Sequence, residues 1–203
     1  MSTVEETPRV SATRLRILDA AARLFREKGY AGTTQRDIAA ACDMKVGSLY
    51  YHFASKDDVL AEVLDLGILR VLEGVEAALT ELGPDAEPLE RFRVAISAHL
   101  DTLFRQGDYT SAHFRIWKVA PRDVQARNLV LRDRYEAVWV SLLEKLQVHG
   151  VLRAGVDLRV LRLFIFGAMN WTLDWYGEGD LTLEQLAEMY ADILLHGVEA
   201  RSA

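Results

Sequence analysis

An all-α fold is predicted by three features of the sequence. Apolar residues recur with the 3.6-residue helical period in almost every segment, no stretch keeps the two-residue alternation of a strand, and the periodic segments are bounded by helix caps, glycines and prolines. With 203 residues, half of them hydrophobic, the chain is long enough to bury a core as one small and one medium helical domain.

The elements follow in order. Behind a polar tail, MSTVEETPRV, Ser11 or Thr13 caps a first helix whose Leu18, Ala21, Ala22 and Phe25 form one stripe, and Gly29 ends it. Thr34 and Asp37 make a capping box for a short helix through Ile38 to Ala41. After a tight turn a second short helix runs from about Lys45 to Tyr51. A second box, Ser55 with Asp58, starts a long helix carrying Val59, Leu60, Val63, Leu64, Val71, Leu72, Val75 and Leu79, stopped by Gly83-Pro84. Pro88 opens the next helix, to about Arg105, which Gln106-Gly107-Asp108 is expected to break. A short segment from Phe114 to Val119 ends at Pro121, and a long helix then runs to Gly150. Asp157 caps a helix apolar almost all round, from Leu158 to Tyr176. After a Gly177-Glu178-Gly179-Asp180 turn, a Thr182/Gln185 box leads into the last helix, with Leu183, Leu186, Tyr190, Ile193 and Leu194 assigned to one face.

Composition narrows the function. The longest apolar run, Leu163 to Met169, is far too short to span a bilayer, and the N-terminus carries no apolar leader, so the reading is a cytoplasmic protein with no membrane partner. Cys42 is the only cysteine, which excludes an intrachain disulfide and a CxxC site; it reads as a small buried hydrophobe. The net charge of −6 hides an asymmetry: residues 1–56 hold nine Lys/Arg against six Asp/Glu, whereas 57–203 hold 15 against 24. The positive charge that could meet phosphate lies at one end. The five histidines form no HExxH pair, and neither a GxSxG elbow nor a phosphate loop occurs; no enzyme, cofactor or metal is expected.

Two short helices joined by a tight turn cannot bury a core alone; they need the first helix as a platform and the long fourth as a support, which is the construction of a helix-turn-helix. The domains are therefore expected to be 1–56, binding double-stranded DNA, and 57–203. In the second short helix Gly47 and Ser48 are small enough to let the backbone approach a groove, while Lys45, Tyr50, Tyr51 and His52 offer donors to phosphates or base edges. Lys56, at the next helix N-terminus, is placed to hold a phosphate together with free backbone N–H groups. Leu49 and Phe53 face inward. Tyr50 has an alternative reading as core.

The stretch Thr33 to Leu60, TTQRDIAAACDMKVGSLYYHFASKDDVL, resembles the N-terminal domain of the TetR family of transcriptional repressors. Carried over position by position, the resemblance implies DNA contacts at Thr34, Gln35 and Arg36 in and before the first short helix, and at Lys45, Val46, Gly47, Ser48, Tyr50, Tyr51, His52 and Lys56. Asp43-Met44-Lys45 departs from the residues common in that family, which bears on the base sequence read.

In the second domain aromatic residues alternate with isolated polar ones. Most must be core, but Asn170 and Asp174 share one side of a helix otherwise too apolar for solvent, where an unpaired polar group costs about 1–3 kcal/mol. The candidate ligand-binding residues are His99, Phe104, His113, Trp117, Phe166, Asn170, Trp171 and Trp175, with a reading as plain core beside it. The run Phe166 to Tyr176 is similar to a TetR subgroup that controls fatty-acid, branched-chain or steroid degradation. That similarity implies a small hydrophobic effector of acyl-CoA thioester type, with Arg105, Arg115, Lys118 and Arg162 as candidates for its phosphates. A homodimer paired through 158–176 and 182–200 is expected. A helical enzyme and a protein-interaction module remain as alternatives.

Overall fold

The computed structural model describes residues 11–177, 179 and 181–198. The N-terminal tail, Glu178 and Asp180 of the expected glycine turn, and the end of the last expected helix lie outside the described residues. Among those described, the chain is nine α-helices: α1 (Ala12–Lys28), α2 (Gln35–Ala41), α3 (Val46–His52), α4 (Lys56–Leu82), α5 (Pro88–Arg105), α6 (Gly107–Ile116), α7 (Arg122–Val148), α8 (Leu158–Trp175) and α9 (Leu183–Val198), with a 3-10 turn at Trp117–Val119 before α7.

Caps set most of these boundaries. The Ser11 hydroxyl accepts from Arg14 N at 3.2 Å, and the boxes Thr34/Asp37 and Ser55/Asp58 are both closed reciprocally. In the turn between α2 and α3, Asp43 stands at φ +52°, a left-handed conformation that a short polar side chain tolerates. Lys45 is the N-cap of α3 rather than its first residue.

Gln106-Gly107-Asp108 does not break the chain into a loop; only Gln106 leaves the helix, and α6 begins at Gly107, well before Phe114. Several backbone groups at the kink are paired across it. Gln106 N donates to Thr102 O, Tyr109 N and Thr110 N donate back to Gln106 O, and the Thr110 hydroxyl donates to Leu103 O at 2.8 Å.

Two hydrophobic cores share α4. Val59, Leu60, Val63 and Leu64 join Ile17, Leu18, Phe25, Ile38, Leu49 and Phe53 in the first. Ile68, Leu72, Val75 and Leu79 join residues of α5, α7, α8 and α9 around the fully buried Trp139 in the second. The cores therefore divide α4 between Leu64 and Ile68, later than the 56/57 boundary drawn from sequence. The first core also takes in Tyr109, Ala112 and Ile116 of α6 and Val124 of α7, so α6 belongs to both halves. Its outer side is tied to α1, where Tyr109 Oη donates to Asp19 at 2.7 Å and Arg26 pairs with Asp108 at 2.8 Å. At Gly67 the crossing of α4 and α6 is so close that a Cβ would lie 2.7 Å from the Tyr109 carbonyl oxygen.

The helix expected to be apolar all round shows why it is so. On α8, Leu161, Ile165, Met169 and Thr172 are buried, while Val160, Phe164, Trp171 and Trp175 stand exposed on the other side. On α9, Ile193 is 63% exposed and Met189 is exposed, whereas Leu186 is 4% exposed and belongs to the core of its own chain. Ile193 and Leu186, seven positions apart, lie on the same side of α9 as the sequence assigned them, but only Leu186 is covered by the chain's own core. Among the described residues no helix is long and apolar enough to cross a membrane.

Candidate nucleic-acid interface and ligand cavity

The outer surface of α3 is built by inward anchoring. Leu49 and Phe53, one turn apart, are buried in the first core, and Val46 is half-buried against it. That leaves Lys45, Gly47, Ser48, Tyr50 and Tyr51 facing out, with Tyr51 88% exposed and His52 half-buried, its ring edge-on to Tyr51. Tyr50 is 52% exposed, so its alternative reading as core does not apply. A Cβ on Gly47 would meet nothing within 4 Å, so the backbone there is open to a close partner. Arg36 is exposed beside α3, Thr34 is engaged as the α2 cap, and Gln35 is half-buried with its Nε2 sealed and unpartnered.

Lys56 is placed differently from the expectation of an ammonium free for phosphate. Its Nζ donates to the carbonyls of Tyr30 (2.8 Å) and Thr33 (2.9 Å) and lies 3.9 Å over the Tyr30 ring. The Tyr30 hydroxyl in turn donates to Asp57, and burial pushes that phenol up. Lys56 therefore ties the α1–α2 turn to the start of α4. Arg14 does the same for the other end of α3: it donates to the Glu62 carboxylate, donates to the His52 carbonyl that ends the helix, and stacks 4.0 Å over Phe53. Arg14 was not among the residues singled out from sequence. Its partners lie 38 and 48 positions away, beyond any local signal.

In the second half a cavity of about 510 Å³ opens between α5, α6, α7 and α8, with Ile68 of α4 in its wall. Of the eight candidate ligand residues, His99, His113, Trp117, Phe166, Asn170 and Trp171 line it. Phe104 and Trp175 do not: Phe104 packs edge-on against Tyr176 at 5.1 Å, and Trp175 is on the exposed side of α8. Sequence reading missed Arg132, Tyr135 and Glu136, which α7 contributes to the wall.

Both histidines are spoken for. His113 Nδ1 donates to Leu64 O of α4 at 3.1 Å, and His99 bridges Tyr135 Oη (2.6 Å) and Asn170 Oδ1 (3.1 Å). Burial holds each imidazole far below its ordinary range, at about 4. Among the described residues no three His, Cys, Asp or Glu side chains come together as a metal site.

Charge collects at the cavity mouth. Arg115 of α6 pairs with Asp174 of α8, Arg132 lies 3.8 Å over the Trp117 ring, and Lys118 is exposed beside them. Of the four basic residues expected near a ligand's phosphates, Arg115 and Lys118 are here. Arg105 is paired with Asp101 on the exposed side of α5, and Arg162 is paired with Glu136.

Comparison with known proteins gives a consistent answer over both halves. Residues 17–63 match the family described as bacterial regulatory proteins, tetR family, and residues 85–198 match a tetracyclin repressor-like C-terminal domain. The HTH-type transcriptional repressor KstR2 of Rhodococcus jostii is 28% identical over 200 residues, covering 96% of this chain and 95% of that protein. The fatty acid metabolism regulator protein of Bacillus subtilis is 24% identical, covering 91% and 94%. The solved structure of the ketosteroid transcriptional regulator KstR2 of Mycobacterium tuberculosis superposes with a TM-score of 0.78 at 26% identity, covering 95% of this chain and 98% of that one.

The two buried histidines predict an acid-sensitive fold. In the unfolded chain each takes up a proton near pH 6.5, but in the native state only near 4, so the unfolded state binds more protons between these values. Stability is then full above about pH 6.5, falls as pH drops toward 4, and levels off below, by ~3 kcal/mol for each histidine. Urea unfolding from pH 7.5 to 4.5 should show this slope, and His99→Phe should flatten part of it.

Proposed function

Because the chain belongs to the TetR family of bacterial regulatory proteins, we propose that it is a homodimeric repressor which an acyl-CoA thioester, entering the α5–α8 cavity, releases from an inverted-repeat operator. That the chain is a DNA-binding transcriptional regulator and not an enzyme follows from the family itself. The observation that carries the finer reading is the cavity, whose wall residue His113 is bonded to the helix shared by both cores.

The chemistry of the cavity supports an acyl thioester. Phe114, Trp117, Leu163 and Phe166 offer an apolar lining for a hydrocarbon chain, and Arg115, Lys118 and Arg132 offer cations for phosphates at the mouth. Two relatives, a ketosteroid transcriptional regulator and a fatty acid metabolism regulator, bear names from the same chemical territory. DNA contact is assigned to the outward residues of α3, namely Lys45, Gly47, Ser48, Tyr50 and Tyr51, with Arg36 alongside. Lys56 acts here chiefly by holding the α1–α2 turn.

Dimerisation is assigned to the exposed apolar faces of α8 and α9, since Val160, Phe164, Trp171, Trp175, Met189 and Ile193 would otherwise stand in water. A two-fold axis through these helices sets the two copies of α3 a fixed distance apart, and successive major grooves require about 34–36 Å. A ligand pressing on His113 shifts α6 and α4 and changes that distance.

Two outcomes are expected. Operator release measured in parallel with acyl-CoA esters, the matched free acids and CoA alone should respond to the esters; release by free acids with every thioester inert would overturn the ligand assignment. In sedimentation, Ile193→Glu should give soluble monomers that have lost operator affinity, because the charge falls in the intersubunit face. Leu186→Glu instead should yield unfolded chain, because it buries an unpaired charge within one subunit. A wild-type protein that is monomeric at micromolar concentration contradicts the dimer.

A further inference from the structure

The inner wall of the cavity carries a directional hydrogen-bond relay of three side chains, Tyr135, His99 and Asn170. Tyr135 and His99 are buried, so every proton in the relay must be placed within the protein. Asn170 Oδ1 only accepts, so His99 Nε2 must carry the hydrogen; in a neutral imidazole Nδ1 is then an acceptor, and the Tyr135 hydroxyl donates to it. The opposite direction, with the amide turned round, leaves the Tyr135 hydroxyl proton without an acceptor among the described residues, in a side chain only 3% exposed. The relay therefore runs one way, and it fixes the Asn170 amide with its NH2 group left over.

That NH2 has no acceptor among the described residues, and Asn170 lines the cavity. The wall around it combines the apolar Phe166, Leu163 and Ile68 with the carboxylates of Asp174 and Glu136, which are engaged by Arg115 and Arg162. A donor left open beside apolar walls selects a ligand atom that only accepts, and it disfavours a hydrocarbon of the same shape.

We infer that Asn170 Nδ2, oriented by the Tyr135–His99 relay, is a specificity-determining donor for an uncharged carbonyl oxygen on the ligand. This rests on the cavity being the effector site and adds what that effector must contain. The carbonyl can be that of the thioester itself or a ketone farther along the ligand body; both present the same lone pairs to the amide.

The test compares 2-octanone with n-octane as neutral probes, with binding followed by tryptophan fluorescence or calorimetry. From wild type to Asn170→Leu, the ketone-to-alkane affinity ratio should fall about tenfold or more, while octane binding is kept and reports an intact cavity. Asn170→Asp, nearly isosteric, replaces the donor with a carboxylate and should lower the ratio in the same way. A ratio unchanged in both variants, or a wild-type cavity that takes neither probe, overturns the inference. A further arm separates the two sources of carbonyl. If operator release by octanoyl-CoA exceeds that by its thioether analogue S-octyl-CoA, and Asn170→Leu removes the difference, the thioester carbonyl is the group bound. If the two act alike while ketone discrimination persists, the group lies in the ligand body. Should no thioester release the operator while 2-octanone discrimination holds, the acyl-CoA reading fails and the role of Asn170 stands.

Discussion

At Gly67 the long helix α4 passes beneath α6 with room for a hydrogen but not for a methyl group. This close approach makes α6 a member of both hydrophobic cores. On one side its Tyr109, Ala112 and Ile116 complete the core of the DNA-binding half; on the other His113 faces the cavity. Packed interfaces of this kind are poorly compressible, so a displacement of α6 is passed to α1 and α4 rather than absorbed. The bonds Tyr109 to Asp19 and His113 to Leu64 give that transmission two fixed points. The helix α3 is itself fastened to this frame, by Arg14 at its C-terminal carbonyl and by Leu49 and Phe53 beneath it.

The buried histidines of the second half are both held in place. His99 is bonded by Tyr135 and Asn170 in a single direction that leaves the Asn170 NH2 over, and His113 is spent on α4. A cavity lined this way keeps its charge at the mouth, where Arg115 and Asp174 face each other from α6 and α8. An anionic ligand reaching that mouth would compete with Asp174 for Arg115. The competition joins the charge of a ligand to the separation of the same two helices that its apolar body would wedge apart.

Much of this was readable from sequence wherever the signal is local. The boxes Thr34/Asp37 and Ser55/Asp58, and the Gly83-Pro84 stop, act within three or four residues and fixed their helices correctly. The inward pair Leu49 and Phe53 followed from helical spacing, and with it the outward face of α3. The break expected after Arg105 was misjudged because the Thr110 hydroxyl and the Gln106 carbonyl repair it from outside the three-residue signal. Arg14 and Lys56 work through partners distant in the chain, so composition alone could not assign their roles. On α8 and α9 the apolar pattern covers two faces, and periodicity cannot say which one meets the chain's own core. Phe166 and Asn170 therefore line the cavity while Trp175 lies outside it, and of Leu186 and Ile193 only the first is covered by the chain's own core. Tyr135 and Arg132 went unseen because their value depends on α7 crossing α5 and α6.

In the proposed dimer, occupancy of the cavity would change the spacing of the two α3 helices through α6. Electron–electron double resonance between nitroxides on Ser48→Cys in both copies of the dimer reads that spacing directly. The distance in the free protein should be shifted by the thioester that releases the operator, and the shift should shrink in Tyr109→Phe, which lacks the bond to Asp19. Release of the operator with the Ser48–Ser48 distance unmoved would exclude transmission through α6.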